Sequence, residues 1–232
     1  MLIGINGYAR SGKDTMADRL VEKHGFKKVS FAEPMREMLQ GIFGFTKDQL
    51  YGDLKETPDT RYPFTGVCLN CHCRCLTAEP DRLKNGCRLA NDPRWNADVG
   101  YYCPACDRFY PKYVTPRLAL QTLGTEWGRT LYAPIWAEIG ISSARKKHPE
   151  DDVVFSDVRF HNEIGAIKKA GGYLVRLRRG EARFNHASEM EMMTITDDAF
   201  DMILNNTGSL EAFIAMVDGA VPTFRDWWGS GK

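Results

Sequence analysis

A short apolar run, Leu2 to Ile5, passes directly into Gly7-Tyr8-Ala9-Arg10-Ser11-Gly12-Lys13-Asp14-Thr15, and an amphipathic run follows. Strand, glycine loop and helix in that order constrain everything downstream. They predict a parallel α/β sheet with the loop at the C-terminal end of its first strand, where such sheets bind ligands. Gly7 and Gly12 allow a tight turn that exposes backbone N–H groups, and the helix start adds its positive end. Arg10 and Ser11 lie inside the loop, and Lys13 can reach the β- and γ-phosphates of a nucleotide. The usual pattern places a hydroxyl residue directly after the lysine; here Asp14 stands there and Thr15 follows.

The chain has 232 residues, enough for one well-buried α/β domain with an insertion. Its formal net charge of +1 gives no reason to expect non-specific binding to nucleic acid. No apolar run approaches the roughly 20 residues of a membrane span, and the N-terminus lacks a signal-peptide layout, so the expectation is a cytoplasmic protein. For a phage-encoded chain that means the host cytoplasm. Oligomeric state is not legible, and a homodimer stays open.

After the loop, Met16, Ala17, Leu20 and Val21 predict a helix to about His24 with Gly25 as its stop. Phe26 to Phe31 reads as a second strand. Glu33-Pro34 then opens a helix with a stripe of Met35, Met38, Leu39, Ile42 and Phe43. Arg36 lies off that stripe, as a grip for a substrate phosphate or simply a solvated charge.

From residue 46 to 113 prolines, aromatics and cysteines replace helical periodicity, which marks an insertion between core segments 1–45 and 114–232. All seven cysteines fall between residues 68 and 106. In a cytoplasmic chain such clustering points to metal before disulfide. Cys68-x-x-Cys71 and Cys103-x-x-Cys106 form two knuckles that can hold one structural zinc ion in a small ribbon-like unit, with Cys73, Cys75, Cys87 and His72 as possible substitutes. Four thiolates leave no open position for catalysis.

Thr115-Pro116 caps a new helix whose buried face is expected to run Leu120, Leu123, Trp127 and Leu131. Another face carries Arg117 and Gln121, one turn apart and able to grip a phosphate and a base edge together, followed by Gly124 and Gly128. Pro134 to Lys147 is expected to be helical and to pack through Ile135, Trp136, Ile139 and Ile141.

Val153-Val154-Phe155-Ser156-Asp157 reads as a central parallel strand whose acid emerges beside the phosphate loop. Asp157 could hold magnesium, act as base toward an attacking phosphate, or only cap the following turn. Arg159 follows as a charge partner for a transferring phosphoryl group. The next strand, Tyr173 to Leu177, runs into Arg176, Arg178, Arg179 and Arg183, which suggest a segment closing over the triphosphate. His186 reads as a structural histidine. Met202 to Leu204 is the expected last strand, Asn205-Asn206-Thr207-Gly208 a turn, and Ser209 the cap of a helix with Leu210, Phe213, Ile214 and Val217 inward; the Trp227-Trp228 tail is left undecided.

The GKDT-type loop, the Thr115 to Arg129 helix with its Leu120-Gln121-Thr122-Leu123-Gly124-Thr125-Glu126-Trp127-Gly128-Arg129 run, Asp157-Val158-Arg159-Phe160-His161-Asn162-Glu163, His186-Ala187-Ser188-Glu189 and Asn205 to Leu210 together resemble the bacteriophage deoxynucleoside monophosphate kinases. The likeness covers about three-quarters of the chain and leaves out the cysteine-rich segment. It implies a P-loop kinase fold, a three-layer sandwich with a parallel five-stranded sheet. It further implies transfer of the γ-phosphate of ATP, with Mg2+, to a deoxynucleoside monophosphate. Lys13 would lie on the phosphates, with Gly7, Arg10, Ser11, Gly12, Asp14 and Thr15 around the donor. Lysine-x-threonine usage in such kinases makes Thr15 the hydroxyl partner. The resemblance puts Arg178, Arg179 and Arg183 in the lid and Arg117 and Gln121 on the acceptor side; from the residues themselves, Asp157 and Arg159 are the candidates at the reacting phosphoryl group, and Arg36, Trp127 and Arg129 further candidates on the acceptor side. Dephosphocoenzyme A and phosphomevalonate kinases share similar loops and remain rival readings, as does a zinc-ribbon nucleic-acid module.

Overall fold

The structure is a computed structural model that describes residues 1–64, 68, 100–103, 108–179 and 192–230, without the side chains of residues 101, 102, 108 and 109. It divides into two compact units, Met1–Pro34 with Tyr132–Lys232, and Met35–Leu131.

The first unit is built on a five-stranded parallel sheet. Its strands are β1 (Leu2–Asn6), β2 (Lys27–Val29), β5 (Val153–Val158), β6 (Tyr173–Arg178) and β7 (Met202–Asn205), in the order β2-β5-β1-β6-β7. β1 is central, paired in parallel with β5 on one side and β6 on the other. The apolar residues of these strands alternate between two cores. One core gathers Ile3, Ile5, Val154, Tyr173, Val175 and Leu177 under α1 (Lys13–His24) and the long C-terminal helix Leu210–Gly229. The other gathers Leu2, Val153, Phe155, Val158 and Leu174 under helices Ile135–Lys147 and His161–Lys169. Each fully buried side chain of this size contributes about 1.5–3 kcal/mol of burial free energy, which fixes the strand faces and so the direction of the loops above them.

The expected strand 26–31 shrinks to Lys27–Val29, an edge strand flanked by the buried rings of Phe26 and Phe31. The expected helix 134–147 is present, packed through Trp136, Ala137, Gly140, Ile141 and Ala144 while Ile139 is exposed. The tail is no tail: helix Leu210–Gly229 runs through Pro222, and the Trp227 ring meets Tyr173 edge-on at 5.3 Å. Leu210, expected inward, is exposed at its first turn. That helix is also tied to α1 by Asp218, which accepts from Arg19 at 2.9 and 2.6 Å, from Lys23 at 2.7 Å, and lies 2.9 Å from His24 Nε2. Hydrogen bonds from Arg19, then Lys23 and His24, hold the Asp218 carboxyl far below the usual carboxylate range.

In the second unit, α2 (Glu33–Phe43) continues from the first, followed by α3 (Lys47–Tyr51), a single 3-10 turn at Asp53–Glu56, the antiparallel pair β3 (Gly100–Cys103) and β4 (Arg108–Pro111), and α4 (Pro116–Gln121). Thr46, read as the start of an aperiodic stretch, instead caps α3 through a full capping box with Gln49. Leu39, Phe45, Leu50 and Ala119 form the core of this unit. Met38 and Ile42, expected on the buried stripe of α2, are exposed.

Past Gln121 the chain does not continue as α-helix. Thr122–Arg129 is π-helical. The wider turn rotates side chains away from positions counted at about 3.6 per turn. Trp127 is therefore 46% and Leu131 66% exposed, against the expected buried face, and Gly124 and Gly128 are the buried residues. At Gly124 the close neighbour is the thioether of Met35, 3.1 Å from where a Cβ would stand. The remaining helices are numbered α5 (Ile135–Lys147), α6 (His161–Lys169) and α7 (Leu210–Gly229). Among the described residues no helix is long and apolar enough to cross a membrane.

Candidate active site

The loop between β1 and α1 closes on itself. Ser11 N donates to Tyr8 O at 3.1 Å, and the Lys13 ammonium donates to Gly7 O and Tyr8 O at 2.6 and 2.7 Å. Three residues carry positive φ, Gly7 at 155°, Arg10 at 64° and Gly12 at 104°. A Cβ on Gly7 would lie 2.5 Å from Ser11 Oγ and 2.9 Å from Leu177 O, so only glycine fits there. The result is a run of backbone N–H groups at a helix N-terminus with a cation at its mouth, a site for an anion. Ser11 Oγ is buried without a hydrogen-bond partner among the described residues, a polar group that a phosphate oxygen or water would satisfy. Arg10 is exposed and Thr15 half-buried in the first turn of α1. Asp14 is turned to solvent, where Lys28 Nζ reaches it at 3.0 Å and Asp18 at 2.9 Å.

Asp157 stands near the C-terminal end of β5, the strand next to β1. Its carboxylate accepts from Ser30 Oγ at 2.5 Å and from Phe31 N at 3.2 Å, and so holds the turn between β2 and α2. Among the described residues each oxygen takes one bond, and a carboxylate has about four acceptor positions, so capacity for a metal-bound water remains. Asn6, at the end of β1, reinforces the same corner by donating to Val158 O at 2.9 Å. Arg159 is exposed; its backbone N–H and that of Phe160 are both held by Glu163 Oε2, at 2.7 and 3.1 Å, which sets the start of α6.

The arginine cluster resolves into different jobs. Arg176 is buried, donates to Ile195 O at 2.7 Å and Asp197 Oδ1 at 3.1 Å, and lies over the Phe200 ring at 4.9 Å. It is a core strut and not part of a lid. Arg178 is exposed and paired with Asp197, and Arg179 is exposed beside it. Arg183 and His186 lie outside the described residues. One residue that the sequence pattern left as a plain turn belongs to the site: Asn206 donates from Nδ2 to Ser11 O at 2.9 Å. Its position directly after the last strand was the available signal.

A groove of about 660 Å³ opens between α5 and α6, lined by Ile141, Arg145, Asn162 and Lys169 among others. No residue of the phosphate loop lines it, and we do not assign it to the nucleotide.

Within the second unit the structure brings Arg36 and Arg117 into one basic cluster and adds a third member, Lys55. The Arg36 guanidinium lies 4.8 Å over the Tyr51 ring, and Arg117 Nε donates to Glu56 at 2.8 Å. Burial, then the charges of Arg36 and Arg117, push the Lys55 pKa below its ordinary value against the opposite pull of Asp53 and Glu56. No spacing rule links Lys55 to residues 36 and 117, so its place beside the two arginines was not legible in the sequence. Gln121 and Trp127 are exposed and Arg129 half-buried on the following turns. Cys68 and Cys103 are buried with Tyr110, whose hydroxyl is 3.4 Å from Cys68 Sγ. Cys71 and Cys106 lie outside the described residues, and among the described residues no group of three or more metal-ligating side chains occurs.

No family profile matches the chain. A protein of Acanthamoeba polyphaga mimivirus, provisionally named as a deoxynucleotide monophosphate kinase, is 29% identical over 236 residues, covering 95% of this chain and 96% of its own. The deoxynucleoside-5'-monophosphate kinase of Escherichia phage T5 is 30% identical over 212 residues, 82% of each chain. With a glycine loop and its lysine at the end of the central strand of a parallel sheet, and likeness over most of its length, the chain belongs to the phage-type deoxynucleoside monophosphate kinase family.

Proposed function

We propose that the protein transfers the γ-phosphoryl group of ATP to the phosphate of a deoxynucleoside monophosphate, giving ADP and the deoxynucleoside diphosphate. The observation that carries this reading is the closed glycine loop with the Lys13 ammonium at its mouth, in a chain of this family. An oxygen of the acceptor phosphate attacks the γ-phosphorus, and the bond from that phosphorus to the β–γ bridging oxygen breaks, with the charge leaving on ADP. Such transfer depends on positioning and charge neutralisation.

The loop amides and Lys13 hold the donor phosphates. Mg2+, when bound, would neutralise charge on the donor phosphates, and the residues that would hold it are Thr15 in the first turn of α1 and, through water, Asp157. An acceptor phosphate has a second pKa of about 6 and is already dianionic at neutral pH, so it needs no base. Asp157 therefore has no base role to fill; it places the Ser30–Phe31 turn and keeps acceptor capacity for metal-bound water. Arg159 and Arg179, with Arg178 and Arg183, are assigned to the charge on the transferring group. Arg36, Lys55 and Arg117 are assigned to the acceptor phosphate, with Gln121, Trp127 and Arg129 on the helix that presents Arg117.

The test is a panel of the four deoxynucleoside monophosphates with ATP and Mg2+, run beside dephosphocoenzyme A and phosphomevalonate. Turnover of at least one deoxynucleotide, and none of the other two, is expected; the opposite pattern would remove the assignment.

Structural zinc at Cys68, Cys71, Cys103 and Cys106 belongs to the same reading. It is supported by the burial of Cys68 and Cys103 together and by the place of Cys103 in the last pair of the β3–β4 ladder, opposite Arg108. Elemental analysis of purified protein is expected to give about one zinc per chain, and its absence under metal-preserving conditions counts against the site.

A further inference from the structure

We propose that Asn206 is a positioning residue for the phosphate loop, fixing the Ser11–Gly12 peptide plane within the donor cradle. Asn206 follows β7 directly and is 4% exposed. Its side-chain Nδ2 donates to Ser11 O at 2.9 Å, and its backbone N–H donates to Arg178 O at 2.7 Å. One residue thus joins the glycine loop to the end of β6, the strand that delivers Arg178 and Arg179.

The consequence follows from peptide geometry. In a trans peptide the C=O and the following N–H point in opposite directions. Holding the Ser11 carbonyl on the Asn206 side therefore turns the Gly12 N–H away from Asn206, out of the protein interior and toward the face of the loop that receives phosphate. Gly12 is cut to fit this arrangement. Its φ is +104°, and a Cβ there would lie 2.7 Å from Asn206 Nδ2 and 3.1 Å from the Phe213 ring. The amide packs against the bare Cα, which explains a glycine at position 12 independently of any ligand. A loop held in this way presents its donors preorganised, so that binding does not have to order them.

The inference rests on the reading of this loop as the ATP site, and direct ATP affinity separates the two. Asn206→Asp keeps the shape but faces the Ser11 carbonyl with a carboxylate, which cannot donate. At pH 8 the variant is expected to bind ATP about tenfold to a hundredfold more weakly than wild type, with the KM for the acceptor unchanged. Burial and the facing carbonyl raise the pKa of the new carboxyl, and once protonated its O–H donates to Ser11 O. The ratio of variant to wild-type ATP affinity should therefore recover as the pH falls toward 5.5, a recovery that a merely structural role for the side chain would not give. ATP affinity within twofold of wild type at pH 8, or a loss that does not recover on acidification, overturns the inference. If the Asp variant does not fold at pH 8, Asn206→Ala removes the donor without adding charge, and an unchanged ATP affinity in that variant is equally decisive against it. Absence of transfer to every deoxynucleotide by wild-type protein that still binds ATP would instead refute the assigned reaction and leave the loop inference standing.

Discussion

Lys13→Ala is expected to lower kcat for phosphoryl transfer by at least about a thousandfold while leaving the protein folded. Removing a single neutral donor aimed at developing charge costs about 100- to 1,000-fold in related chemistry, and Lys13 brings a full positive charge. In the structure its ammonium also donates to Gly7 O and Tyr8 O, so the substitution removes a clip across the loop along with the charge. The side chain belongs to neither core of the sheet, whose members are apolar residues on β1, β5 and β6 and the helices over them. The thermal transition should therefore move by only a few degrees. Lys13→Arg keeps the charge but replaces a compact ammonium with a planar fork, and it should recover only a small part of the rate. Steady-state kinetics with circular dichroism on the same samples checks this, and an alanine variant retaining a tenth of the activity would sink the assignment of Lys13 to the donor phosphates.

The parts of the fold that were legible are those written in local chemistry. Gly7 and Gly12 around Lys13 announced the loop, the apolar run at Val153–Phe155 announced a central strand buried on both faces, and Tyr173–Leu177 announced the next strand. The order β2-β5-β1-β6-β7 is written in no single segment. Arg176 shows the limit. Beside Arg178 and Arg179 it read as one more arginine of a segment closing over the triphosphate, yet both faces of β6 are covered as far as Leu177, and Ile195 O and Asp197 satisfy Arg176 there. Trp127 and Leu131 failed for another reason: their spacing fits an α-helix, and Thr122–Arg129 winds more widely. Asn206 and Lys55 failed because their importance lies in long-range partners, Ser11 for the first and the charges of Arg36 and Arg117 for the second.

The acceptor side yields the second large effect. Arg36→Met and Arg117→Met are each expected to raise the KM for the deoxynucleoside monophosphate about 10- to 100-fold, the range for losing a charge-assisted contact of about 1.5–3 kcal/mol, with the KM for ATP held within about twofold. The double variant should lose less than the product of the two, since both guanidiniums and Lys55 would share one phosphate. Lys55 supplies a signature that a general loss of fold cannot imitate. The charges of Arg36 and Arg117 act on Lys55 against the pull of Asp53 and Glu56, and Glu56 is already held by Arg117 at 2.8 Å. Burial, then the charges of Arg36 and Arg117, lower the Lys55 pKa in the free protein, whereas a bound phosphate dianion would raise it. Acceptor affinity must then fall as the pH rises through the lowered pKa of Lys55, because above it the protein has to take up a proton in order to bind. Lys55→Met should weaken binding at neutral pH and flatten that dependence, and Lys55→Arg should keep the affinity while flattening it equally. A wild-type acceptor KM that does not change up to pH 10, or a Lys55→Met variant with the full dependence intact, would show that the trio does not receive the acceptor phosphate.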